Sequence, residues 1–213
     1  MDSADRIVSC LRQTVHDLGL DPRSDAALRD IIGLGLREAV EQLYPDCDDA
    51  LFEAFKLRYR HHFLAPDAQQ PALFPQARAT LERLSEEGYF LAVATGKGRQ
   101  GLDRVLAATG CARYFHATRC ADECHSKPHP AMLQELTDYL GVEARETLMV
   151  GDSEYDILMA ANAGAAALGV SFGVHGRDRL LRAGARHCVD SVPEVRDWLR
   201  DQALEVPTPV RAE

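Results

Sequence analysis

Two carboxylates four residues apart, Asp152 and Asp156, follow the apolar run Leu148 to Val150 in "TLMVGDSEYDI". An apolar run ending in Gly-Asp reads as a buried strand whose last side chain enters a cleft, with Ser153 placed to cap the helix that follows. Such a place suits a cation. Two acids alone rarely hold magnesium without further ligands from the chain or from a substrate phosphate. Thr95 ends a second apolar strand in "YFLAVATGK", and Gly96 follows it, so that a hydroxyl and the next backbone N–H can point together at an anion. Lys127 in "SKPHP" precedes a proline in an extended loop, where an ammonium could neutralise the same anion. Taken singly, each of these is also an ordinary turn, cap or surface residue. Their common place at strand ends, or in the loop between strands, is what makes the set specific.

The cation usage sharpens that reading. The chain has 21 arginines and only three lysines, Lys56, Lys97 and Lys127. Where lysine persists against this background, its compact, strongly hydrated ammonium is wanted for itself. Lys97 and Lys127 lie in short loops marked by Gly or Pro, whereas Lys56 sits in the helical pattern "LFEAFKLRYR" and reads as a solvated surface residue.

These residues need elements to position them. From Ser3 to about Phe63 the pattern is helical: Ile7, Leu11, Val15 and Leu18 recur at helical spacing, Ser24 and Asp48 are N-caps, and Gly33 and Gly35 mark a bend. After the Pro-rich joint "APDAQQPALFP", strands at "YFLAVATG", "YFHAT", "TLMVGD", "AAALGV" and "HCVD" alternate with helices of about ten to fifteen residues. That alternation implies an α/β, Rossmann-like parallel sheet covered on both faces, with ligands at the carboxyl ends of the strands. The expected organisation is a helical domain over residues 1–70, an α/β core over 71–204, and a disordered tail over 205–213.

Composition excludes other classes. The 213 residues carry a net charge of −9, with no basic cluster of the kind that binds nucleic acid or an anionic membrane. There is no run of about 18 apolar residues and no signal-like N-terminus, so the expected location is cytoplasmic. Six scattered cysteines fit reduced thiols, and Cys120, Cys124, His125 and His129 in "CADECHSKPHP" lack the spacing of a zinc site.

In "VATGK", "SKPHP" and "VGDSEYD" the chain resembles the second, third and fourth motifs of the haloacid dehalogenase superfamily, in its phosphoglycolate phosphatase-like branch with a helical cap. The resemblance implies that Thr95 binds the transferring phosphoryl group and that Lys127 holds phosphate and nucleophile together. It makes Asp152 the Mg²⁺ ligand and Asp156 its outer support, with Thr95, Gly96, Lys97 and Lys127 lining the substrate. The intact acids of the fourth motif favour a Mg²⁺-dependent phosphatase of a small phosphorylated metabolite over a true dehalogenase. The helical half would be the cap that closes over the site and excludes water.

The family opens with a strand running into Asp-x-Asp-Gly-Thr-Leu, whose first Asp is the nucleophile and second the general acid/base. Here the sequence begins "MDSADRIV", which resembles what ordinarily follows that motif, and Asp2 reads as a helix-start acid. The expectation is that the central strand, between "YFLAVAT" and "TLMVGD", is missing. Covalent phosphoryl transfer without that carboxylate would be absent or very weak. Three readings follow: a phosphatase of which Met1 is an internal methionine, a non-catalytic phosphate- or metabolite-binding module, and a remnant that neither folds stably nor binds.

Overall fold

The computed structural model describes residues 1–65 and 72–205. The middle of the Pro-rich joint, the 70/71 domain boundary and nearly all of the tail expected to be disordered lie outside the described residues.

The first 63 residues fold as α1 (Ala4–Asp17), α2 (Asp25–Asp30), α3 (Leu36–Leu43) and α4 (Asp49–Phe63). Ser24 caps α2 by accepting from Ala27 N at 3.2 Å, and Asp48 caps α4 by accepting from Leu51 N at 2.8 Å. Each cap satisfies an amide donor that the first helical turn leaves without a partner. On α1 the face turned inward is Val8, Leu11 and Val15, with Ile7 and Leu18 at its margins. These side chains meet Leu28, Val40 and Phe55 in one apolar cluster drawn entirely from this helical half.

The remaining chain alternates β1 (Ala92–Thr95), β2 (Ala117–Cys120), β3 (Leu148–Gly151), β4 (Ala166–Val170) and β5 (His187–Val189) with helices. The helices are α5 (Ala77–Glu86), α6 (Arg99–Thr109), α7 (Ala131–Leu140), α8 (Glu154–Ala163), α9 (Arg177–Arg182) and α10 (Val192–Glu205). All strand pairs are parallel, as strands joined by helical crossovers must be. Two strands begin later than their apolar runs suggest. The first starts at Ala92, and the second at Ala117, because Tyr114 is buried in a 3-10 turn instead of extending the ladder.

Among the described residues the strands form two sheets, β1–β2 and β3–β4–β5. Each of β1 and β3 is paired along one edge only, and one cavity of about 1060 Å³ is lined by every residue of both strands. Val150 on β3 is 40 % exposed, unusual for a strand of a helix-covered parallel sheet. Helices hold the two halves in register around this opening. Helix α10 packs on α5, where Arg196 Nε donates to Glu87 at 2.7 Å, and α7 packs on β2 and α8.

Candidate active site

The carboxyl ends of β1 and β3 open on the same cavity, which brings Thr95, Gly96, Lys97, Lys127, Asp152 and Asp156 to one place. At the end of β1, Thr95 Oγ1 accepts from Lys97 N–H at 3.2 Å, folding the Thr-Gly-Lys segment into a tight turn. That bond uses a lone pair of the hydroxyl and leaves its proton available to an anion. Gly96 is required by contact: a Cβ there would collide with the carbonyl oxygens of Gly33 and Leu34 in the bend between α2 and α3.

At the end of β3 the helix start is wired more heavily. Ser153 and Asp156 form a reciprocal capping box, in which Asp156 Oδ2 accepts from Ser153 N at 3.1 Å and Ser153 Oγ at 2.7 Å. Its other oxygen is ion-paired with Lys127 Nζ, so both oxygens of this buried carboxylate are committed. Lys127 precedes a cis proline peptide, and Ser126 beside it accepts from Gly35 N at 2.5 Å.

Asp152 differs. Its Oδ2 accepts from Val174 N at 3.2 Å, it has no ion pair among the described residues, and Gly173 presses against it without room for a side chain. Burial, and then the neighbouring Asp156 charge, push its carboxyl above the ordinary range, with Lys127 pulling the other way. A desolvated carboxylate with one protein donor favours a cation nearby. The described residues form no cluster of three metal-ligating side chains. The buried Asp152 carboxylate, with one protein donor, fits a cation such as Mg²⁺ whose shell is otherwise completed by water and substrate phosphate.

The helical half touches this site through the bend that Gly33 and Gly35 mark. Gly33 has φ +118, and a Cβ there would lie 2.6 Å from Ser153 Oγ. Beside the bend, Asp30 ties the helical half to the core. Its carboxylate pairs with Arg179, while its carbonyl accepts from Tyr155 Oη at 3.1 Å and His175 Nε2 at 3.3 Å. Arg179 also reaches Glu154 at 2.5 Å, and Glu154 N donates to His175 Nδ1 at 3.0 Å. The sequence motifs give no hint of Asp30, His175 or Arg179, whose ion pairing spans 149 positions.

With this geometry in place, the comparisons decide the family. The family model described as haloacid dehalogenase-like hydrolase matches residues 1–170. The chain belongs to that family. Its curated relatives include a "Probable phosphatase IndB" of Dickeya dadantii, 37% identical over 202 residues, covering 92% of this chain and 86% of the relative. A phosphoglycolate phosphatase of Vibrio parahaemolyticus is 31% identical over 204 residues, covering 92% and 89%. Among solved structures, a "Putative haloacid dehalogenase-like hydrolase" from Bacteroides fragilis superposes with a TM-score of 0.84 at 25% identity, covering 91% of this chain and 93% of that one. The haloacid dehalogenase-like fold thus extends over the helical half and the α/β half alike.

Proposed function

We propose that this site binds a small phosphomonoester of the phosphoglycolate kind with Mg²⁺ at Asp152, as the framework of a phosphatase. One observation carries the reading: the Thr95 turn, the Lys127–Asp156 pair and the buried Asp152 meet at the ends of β1 and β3 in one cavity. The Thr95 hydroxyl donates to a phosphoryl oxygen. Lys127, held by Asp156, places a desolvated positive charge against the phosphate, where charge spread over the phosphoryl oxygens is stabilised. Bound Mg²⁺ would supply Lewis-acid polarisation of the phosphate there. Residues of the helical half line the cavity, among them Gly33, Leu34 and Phe63, and closure of that half over a ligand would exclude water from it. A net charge of −9 accords with a small metabolite as ligand and not with a nucleic acid or a membrane.

At the strand ends the described residues offer no spare carboxylate for in-line attack. Asp156 has both oxygens engaged, and Asp152 would be the carboxylate that holds Mg²⁺. On this reading the described residues at the strand ends bind phosphate but do not themselves carry the attack on phosphorus. The opening between β1 and β3 is where a further strand would carry the nucleophile to phosphorus. Mg²⁺-dependent phosphatase assays on this chain, beside a version fused behind an apolar strand running into Asp-x-Asp-Gly-Thr-Leu, test this. Release of phosphate by the fused version alone is expected, and equal turnover by both would overturn the account. Tight phosphate binding without turnover in either version would favour the second reading, a non-catalytic metabolite-binding protein.

A further inference from the structure

The bend at Gly33, Leu34 and Gly35 meets each loop of the phosphate site beside a residue that would hold the ligand. Gly33 lies against Ser153, whose Oγ donates to Asp156, and the carbonyl oxygens of Gly33 and Leu34 lie against Gly96, next to Thr95. Gly35 donates its amide to Ser126 Oγ at 2.5 Å, next to Lys127. Gly35 is the N-cap of α3, so its amide has no acceptor within that helix. Gly35 and Ser126 are both buried, and Ser126 Oγ supplies the acceptor that water cannot. The same hydroxyl donates to the Lys127 carbonyl at 3.4 Å, and the Ser126 carbonyl accepts from His129 N at 3.0 Å, which closes the turn carrying Lys127.

Lys127 is thus fixed at both ends by groups that the bend touches: at its backbone by Ser126, and at its ammonium by Asp156, which Ser153 orients. The ammonium end does not need the helical half, because Ser153 and Asp156 form their own capping box at the start of α8. What the Ser126 hydroxyl adds is dependence on the bend. If the bend lifts away, the Gly35 amide loses its acceptor and the loop under Lys127 loses a tether. We propose that Ser126 is a positioning residue: by accepting from Gly35 it ties the placement of Lys127 to the docking of the helical half, so that phosphate binding and docking strengthen each other. This rests on the phosphomonoester reading above and adds a coupling to it. Such coupling is reciprocal, so the factor that docking adds to phosphate affinity is the factor that phosphate adds to docking.

Calorimetry on the full chain, with inorganic phosphate as the probe and Mg²⁺ present, tests the assignment. Ser126→Ala should bind phosphate about tenfold more weakly. Ser126→Cys, which keeps the shape with a poorer acceptor, should fall between it and the native chain and serves in its place if the alanine variant does not fold. From the other side, Gly35→Ala sets a methyl 2.8 Å from Ser126 Oγ and 3.0 Å from Ser126 Cβ, and should weaken phosphate binding to a similar extent. The double variant should bind within about threefold of the weaker single one, because both changes break the same link. Thermal melts confirm which variants are folded. Hydrogen exchange separates positioning from mere packing: in the native chain phosphate should slow the Ala39 amide, which donates to the Gly35 carbonyl at 3.0 Å, by more than it slows the amides of β4. In Ser126→Ala both should slow equally. A serine that only packs would lower stability and leave the difference in place. Unchanged phosphate affinity in Ser126→Ala, additive losses in the double variant, or an Ala39 difference that survives without the hydroxyl overturns the proposal. If the native chain binds no phosphate, the phosphomonoester reading itself fails, and this inference falls with it.

Discussion

The Lys127 ammonium and the Asp156 carboxylate close on each other out of water, their side chains only 6% and 5% exposed. Removing one partner leaves an uncompensated buried charge, which costs about 3–5 kcal/mol, whereas replacing both by apolar groups of similar volume costs far less. Lys127→Met should therefore destabilise by about 3–5 kcal/mol in urea denaturation. Asp156→Leu should cost as much, because it leaves the Lys127 ammonium buried without a counter-charge and Ser153 without its acceptor. The double variant Lys127→Met with Asp156→Leu should fall well short of the summed costs of Lys127→Met alone and Asp156→Leu alone. Additive costs would show that the two side chains do not depend on each other.

Asp152 gives a prediction in pH. Its carboxyl is raised by burial and by Asp156, so the folded protein binds a proton more readily than the unfolded chain between the ordinary carboxylate value and the raised one. Stability then falls as pH rises through that window and stays lower above it. Without metal, Asp152→Asn should raise stability at neutral pH by about 0.5–2 kcal/mol, as often happens when a functional site is relieved of strain. The gain should vanish below the ordinary carboxylate value, and Mg²⁺ should stabilise the native chain but not the variant. Thermal melts across pH, with and without Mg²⁺, measure both effects.

The candidate site is legible where local chemistry announces itself. Thr95, Lys127, Asp152 and Asp156 stand in short motifs at strand ends, and the helix-sheet alternation alone places such ends on one side of a parallel sheet. The caps at Ser24, Asp48 and Ser153 were also readable, because capping depends on side chains within three residues. What the sequence concealed is nonlocal. The meeting of Asp30 with His175 and Arg179 joins residues about 145 positions apart. The placing of Arg6 and Lys97 on one Phe63 ring depends on how α1 and α4 pack, which periodicity does not determine. The late start of β2 was hidden for a related reason: the aromatic Tyr114 suits a strand locally, but burial draws it into a turn.

Asp30 and Arg179 predict how firmly the helical half is held. Both are about one-third exposed, so their pair is worth only about 1 kcal/mol, yet the same aspartate's carbonyl receives Tyr155 and His175. Arg179→Gln should lower global stability by about 1 kcal/mol and speed amide exchange in α2 and the bend after it. The Gly35 amide, bonded to Ser126 Oγ, is the most informative reporter. Gly33→Ala should accelerate the same amides more strongly. It adds a side chain at φ +118 against Ser153, a strained conformation as well as a clash. Unchanged exchange at Gly35 in both variants would refute this account of the junction.

The two half-paired strands make the last prediction. Strand β4 is bonded on both edges, to β3 and to β5, while β1 and β3 each keep one edge on the cavity. An amide on an unpaired edge has no ladder partner and exchanges by local fluctuation, whereas one between two strands waits for larger opening. Within β1 and β3, amides should therefore fall into two classes, with those facing β2 or β4 exchanging slowly and those facing the cavity exchanging about tenfold faster or more, as expected for a protection difference of 1.4 kcal/mol. Strand β4 should show one slow class throughout. Hydrogen exchange read by NMR on the chain alone gives the answer residue by residue. Uniform protection along β1 and β3 would mean that these two edges pair in solution, and that the opening between the sheets is closed.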